Sequence, residues 1–287
     1  MPRSSPTRPL PADGGRAPSF GELLREWRTA RRRSQLDLAL TAEVSARHLS
    51  FLETGRAAPS REMVLLLGSA LDVPLRERNA LLQAAGFAPA YRETALREPA
   101  MEHMTEALRL ILRQHEPFAA VALDRHWNLV MANAAYLRML TLFLGPERMG
   151  GLAAGEVAPR PRLNTLRALF DPAGLRPHVA NFEELARELV GRVRREAAWE
   201  GDAESAELLA DLVRAAGLPA PGAALPSPEQ AMVVPVEIRA GSQVLRFFTT
   251  ITTLGAPQDI TLAELRIEAF HPADAATEAA VRALAAG

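Results

Sequence analysis

Residues 34–74 read SQLDLALTAEVSARHLSFLETGRAAPSREMVLLLGSALDVP, and the spacing of capping and apolar residues within them decides the fold of the first part of the chain. Ser34 is placed to cap a helix, with Asp37 in its first turn and Leu38, Ala39 and Ala42 facing inward. Glu43-Val44 form a turn and Ser45 caps the next helix. Val44 is positioned to pack on Leu49 as a hydrophobic staple, Leu49 and Leu52 form a buried stripe, and Gly55 ends the helix. A fourth helix starts at Ser60 and carries Met63, Leu66, Leu67, Ala70 and Leu71, and a fifth follows Pro74, carries Leu81 and Leu82, and stops at Gly86. Upstream, Ser19 and Glu22 make a capping box ahead of Phe20, Leu23, Leu24 and Trp27, which recur at helical spacing.

With Leu49 and Leu52 inward, a step of about 100° per residue turns Arg47, Ser50, Phe51 and Thr54 outward. The quoted string resembles the XRE family of phage-repressor-like helix-turn-helix proteins. Ser34-Gln35, Leu38-Ala39, Val44-Ser45, Leu49-Ser50, Leu52-Glu53-x-Gly55-Arg56 and Pro59-Ser60 carry the resemblance. Glu43 departs from it, because the turn often holds glycine there. The resemblance implies binding to double-stranded DNA, with Ser45 to Thr54 as the recognition helix. Ser45, Ala46, Arg47, Ser50, Phe51 and Thr54 are its candidate DNA-contact residues. Arg47 is the candidate reader of guanine. Phe51 either touches a thymine methyl or packs against the first helix or a partner subunit. Gln35 resembles the family glutamine that bonds phosphate or supports the recognition helix, while Arg33 and Arg56 flank the motif as candidate phosphate contacts.

Pro and charged residues accumulate between Ala88 and Pro99. The expected organisation is a disordered arm over 1–18, a helix-turn-helix domain over 19–88, a linker over 89–99 and a larger domain over 100–287. In that larger domain a helix is expected from Ala100 to His115, then strands at Phe118–Leu123 and Trp127–Met131 around the turn Asp124-Arg125-His126. Helices follow at Ala134–Leu144, Arg162–Phe170, Phe182–Trp199 and Ala203–Ala216, and strands return at Val233–Arg239, Gln243–Thr253 and Glu264–Phe270. The expected fold is thus an all-α helix-turn-helix domain followed by an α+β domain, with one antiparallel sheet and helices against a face.

Three strings, HEPFAAVALDRHWNLVMAN, LFDPAGLRPHVANFEELARELVGRVRREA and LRFFTTITTLGAPQDITLAELRIEAFHPADAAT, resemble MmyB-like XRE regulators over nearly the whole chain. That resemblance implies a PAS-like sensor fold and a small apolar ligand such as a fatty acid. Candidate lining residues are Phe118, Trp127, Leu140, Phe143, Phe170, Trp199, Phe247 and Phe248, with Asn133 and Asn181 able to orient a polar group or to cap a turn. Strand alternation places Leu245, Phe247, Thr249 and Ile251 on one face and Phe248 on the other.

Composition narrows the function classes. The chain has 287 residues, 48% of them hydrophobic and 23% charged, as in ordinary globular proteins. It has no cysteine, which excludes disulfides, thiolate metal sites and thiol nucleophiles. All 33 basic residues are arginine, a bias of coding as much as of chemistry. Residues 1–92 carry 14 Arg against 9 acidic residues and the remainder 19 against 25, a basic head on an acidic body. Arg3, Arg8 and Arg16 in the arm could reach phosphates. His103, His115, His126, His178 and His271 form no metal-like pair, and no nucleophile elbow, phosphate-binding glycine loop or paired-carboxylate motif is present. No cofactor, metal or enzyme activity is expected, nor a membrane span or secretory signal. The expected protein is a cytoplasmic, homodimeric transcription regulator. The alternative is a ligand-independent repressor whose second domain serves dimerisation or protein interaction.

Overall fold

A computed structural model describes residues 17–200, 202–218 and 234–286; the side chains at 198–200 and 286 are outside the described set. The basic arm, with Arg3, Arg8 and Arg16, lies almost wholly outside the described residues, as does most of the loop after Leu218. The described residues form two compact units: the first takes 17–93 with 198–200 and 256–263, and the second takes the rest of them.

The first unit is built from α1 (Phe20–Ala30), α2 (Gln35–Thr41), α3 (Ala46–Glu53), α4 (Arg61–Ala70) and α5 (Leu75–Ala84). Serine starts the first four. The side chains of Ser19, Ser34, Ser45 and Ser60 accept from the amides of Glu22, Asp37, His48 and Met63, satisfying N–H groups that have no partner inside the helix. Leu24, Leu38, Leu49, Leu52, Leu67 and Leu82 fill the core, with Val44 packed against it. In α4 the inward set differs from the sequence expectation: Val64 is buried and Leu66 is 44% exposed, because α4 turns its Val64–Leu67 stripe to the core. Glu43 takes φ +54°, the left-handed conformation that glycine reaches at lower cost.

The approach of α1 to α3 depends on a glycine. A Cβ on Gly21 would stand 2.5 Å from the Leu52 carbonyl oxygen and 2.7 Å from that of Glu53. Both atoms are backbone, so the helices could not keep their spacing.

The second unit contains α6 (Glu102–Gln114), β1 (Ala120–Leu123), β2 (Leu129–Ala132), α7 (Ala134–Leu144), α8 (Thr165–Phe170), α9 (Phe182–Glu200), α10 (Ala203–Ala216), β3 (Val236–Ala240) and β4 (Gln243–Thr253). After α11 (Ile260–Ala263), which clusters with the first unit, come β5 (Arg266–Pro272) and α12 (Ala275–Ala286). The strands form one sheet in the order β2-β1-β5-β4-β3, and every neighbouring pair is antiparallel. This is the helix-covered antiparallel sheet that the order of strand and helix patterns predicted.

Two differences from the sequence reading have local causes. β2 starts at Leu129 because Trp127 belongs to the turn, at φ +66°, with its amide donating to the Asp124 carbonyl. The helix α12 was not expected, since alanine-rich AATEAAVRALAA has little apolar contrast; it is held at its start by Asp274, which accepts from the Thr277 amide at 2.7 Å. Thr277, 1% exposed, accepts in turn from the Arg246 amide at 3.0 Å.

The pairing of β4 with β5, from Phe247 opposite Pro272 to Thr253 opposite Arg266, sets which side chains meet the core. Phe247 and Leu245 are buried, and Phe248 on the other face is 41% exposed. Glu268 stands opposite Val121 and Ile251 and so faces the same core. Burial raises its carboxyl pKa, against the opposing pull of the Thr249 hydroxyl and the Arg192 and Arg266 charges.

Two outcomes follow from these constraints. Gly21→Ala destabilises the first unit by about 1–3 kcal/mol, the cost of overpacking, and denaturant unfolding measures it. A carboxyl that binds its proton more tightly in the folded chain costs stability only when ionised, so the cost is absent below its unfolded pKa and complete above its folded one. Glu268→Gln therefore raises Tm at about pH 8, and the gain over wild type shrinks as the pH falls toward about 4 in calorimetric scans.

Candidate functional site

The first unit presents α3 by a buried polar knot. Arg28 of α1 forms a bidentate pair with Glu53 at the end of α3, at 2.6 and 3.0 Å, and its remaining nitrogen donates to the Arg33 carbonyl at 2.8 Å. Gln35, the first residue of α2, donates to the same Glu53 carboxylate at 2.8 Å. The Glu53 side chain is 3% exposed and that of Arg28 14%. One carboxylate thus ties α1, α2 and α3 together. Gln35 spends its amide N–H on this support.

Around that knot the outward residues of α3 take different roles. Arg47 is exposed and its guanidinium lies over the Phe51 ring, 5.3 Å from the centroid. Ser45 is occupied as the cap of α3, and Ala46 packs partly against the core. The Thr54 hydroxyl donates to the Ser50 carbonyl at 2.8 Å, so it is turned back on its own helix. Arg33 donates to the Thr41 hydroxyl at 2.8 Å, and Arg56 is exposed just beyond the helix. Glu53 and Arg28 are the residues that sequence reading passed over. The Leu52-Glu53-x-Gly55 signature held the clue, since a carboxylate next to a core leucine needs a partner.

In the second unit the sequence-selected lining residues do not gather in one place. Asn133 caps α7 and is fully used: it accepts from the Tyr136 and Ala120 amides and donates to the Phe118 and Leu112 carbonyls. Asn181 donates to the Pro235 carbonyl and accepts from the Glu237 amide, fastening β3. Trp127 is buried, with the guanidinium groups of Arg192 and Arg266 over its ring at 5.0 and 5.2 Å, and its indole N–H donates to Glu196 at 2.9 Å. Leu140 and Phe170 are core, and Phe170 meets Phe182 edge-on at 5.3 Å. The Phe118 ring lies under Arg282, and Phe248 stacks on His271 at 5.0 Å on the opposite face of the sheet from Phe247. The Trp199 side chain lies outside the described residues.

Phe143 and Phe247 do share one site. They line a cavity of about 190 Å³ between α7, the β3–β4 pair and α12. Met139, Leu142, Ile238, Leu245 and Val281 contribute to its apolar walls, and among the described residues Arg138 is the one charged residue of the lining. Arg138 is paired with Glu116 at 3.3 Å, and the other oxygen of Glu116 accepts from the Ala135 amide at 3.1 Å. Arg138 escaped sequence reading because its segment, AAYLRMLTLFL, reads as a buried helix with one snorkelling cation. No helix among the described residues is long and apolar enough to cross a membrane, and none of their side chains form a metal-binding group of three or more His, Cys, Asp or Glu.

Comparison with known proteins agrees with both halves of this geometry. The helix-turn-helix family model matches residues 24–78. The model of the MmyB-like transcription regulator ligand binding domain matches residues 104–284. No curated protein matches the chain. A helix-turn-helix head carried on this domain makes the chain a DNA-binding transcription regulator with a ligand-binding domain, and it belongs to the MmyB-like transcription regulator family.

Proposed function

We propose that the protein is a cytoplasmic, homodimeric regulator whose affinity for its operator is set by a small apolar acid held in the α7–α12 cavity. The observation that carries the ligand class is the cavity itself. Its walls are aliphatic and aromatic, and among the described residues a single guanidinium, that of Arg138, stands among them. A void of about 150 Å³ with such walls stays dry and takes a benzene-sized molecule, so about 190 Å³ suits a medium-length acyl chain. A longer chain extends through the mouth. The carboxylate of such a ligand pairs with Arg138 in place of, or beside, Glu116.

On the DNA side α3 enters the major groove with Arg47 toward the base edges. Ser45, Ala46 and Ser50 lie along its approach, and Arg33 and Arg56 neutralise phosphates. Gln35 acts through Glu53 by holding α3 in place. In a dimer two such helices read half-sites about one helical turn, roughly 34 Å, apart. A ligand changes operator affinity only by preferring one of two conformations of the dimer.

Two experiments test this reading. Octanoate, added to the purified full chain, shifts its operator affinity in a mobility assay and is retained in native mass spectrometry. Arg138→Gln weakens octanoate about tenfold while leaving 1-octanol unchanged, the loss expected for one charge-assisted hydrogen bond. A chain that binds neither compound and dimerises regardless is instead a ligand-independent repressor. For DNA, Arg47→Ala abolishes preference at one base pair, whereas Arg33→Ala or Arg56→Ala weakens all sequences alike and lowers the salt slope by about one, read from binding at several salt concentrations.

A further inference from the structure

A phenylalanine on the outward half of α3 needs a reason. Phe51 is half-buried and sits one turn after Arg47 on the same face of the helix. Side chains on a helix lean toward its N-terminus, so residues four apart meet over the intervening turn. Here that geometry brings the Arg47 guanidinium over the Phe51 ring at 5.3 Å.

The kind of contact matters. A guanidinium that stacks through its face keeps its N–H donors in the plane, pointing away from the ring. A carboxylate partner would consume two of those donors in a fork. Neighbouring arginines of the first unit spend donors on polar partners: Arg28 on the Glu53 carboxylate, Arg31 on the Leu71 and Asp72 carbonyls, and Arg33 one N–H on the Thr41 hydroxyl. Among the described residues Arg47 makes no hydrogen bond or ion pair, so its N–H donors have no polar partner while the guanidinium lies over the Phe51 ring. Reading guanine requires two parallel N–H donors aimed at O6 and N7. A long, freely rotating side chain satisfies this only after losing several torsional freedoms, whereas a stacked one has lost part of them beforehand.

We infer that Phe51 is a positioning residue of the DNA interface: it holds the Arg47 guanidinium in its base-reading plane, and the two side chains act as one unit. The inference rests on the reading of α3 as the helix in the major groove. It assigns Phe51 a role different from a thymine-methyl contact or packing against α1.

The test uses the full chain and operators selected by the wild-type protein. Base preference at each position, non-specific affinity and thermal melting are measured for Arg47→Ala, Phe51→Leu, Phe51→Tyr and the Arg47→Ala/Phe51→Leu double variant. Phe51→Leu is expected to cut guanine preference about three- to tenfold, and only at the base pair where Arg47→Ala abolishes it. Non-specific affinity and Tm stay at wild-type values. Phe51→Tyr, which keeps the ring, restores the preference, and the double variant is no worse than Arg47→Ala alone. A loss at a different base pair means direct contact by Phe51 and overturns the proposal. So does an equal loss on all sequences, or no loss. If Arg47→Ala itself weakens every sequence alike, the base-reading role of Arg47 fails and the positioning role fails with it. If Arg47→Ala behaves as a base reader and Phe51→Leu is silent, only the positioning role fails.

Discussion

The buried Glu53 carboxylate is the contact on which the DNA-binding unit depends. Placing a charge at a helix–helix contact costs several kcal/mol unless it is paired and hydrogen-bonded, and Glu53 has both kinds of compensation, from Arg28 and Gln35. A buried ion pair of this kind adds little net stability over an apolar pair of equal volume. What it adds is orientation. The bidentate fork admits one geometry, so α3 has a defined rotation relative to α1 and α2. Gly21 closes the same contact from the other side by letting backbone meet backbone. The exposure of Arg47 on the opposite face of α3 is a consequence of that rotation.

The second unit is governed by alternation along a long strand. β4 pairs with β5 over its C-terminal half and with β3 over its N-terminal half, and each residue step reverses the face. Leu245 and Phe247 line the cavity because their register places them on the face that α7 and α12 cover. The same alternation sends Phe248 outward onto His271 and turns Glu268 inward. The charged group of Arg192, Glu196 and Arg266 beside Trp127 ties α9 to β5.

Much of this was legible in the chain. Capping residues at Ser19, Ser34, Ser45 and Ser60 act within four residues, so their chemistry is complete in the sequence. The two-residue period of 243–253 likewise separates Phe247 from Phe248 without any tertiary information. Asn133 shows where such reading ends: a polar side chain beside apolar strands suits both a head-group contact and a cap, and only its four assembled partners decide between them.

Residues close together in the chain set the helix-turn-helix element order, the outward set of α3 and the strand-rich end of the second unit, and composition alone removed cysteine chemistry. Tertiary packing alone assigned Gln35 to Glu53, laid the Arg47 guanidinium over the Phe51 ring and built the candidate pocket from residues that include Arg138, Phe143, Phe247 and Val281. Three of those four pocket residues lie on different elements, more than 30 positions apart. Their meeting is set by register and helix packing, long-range constraints that no local pattern encodes.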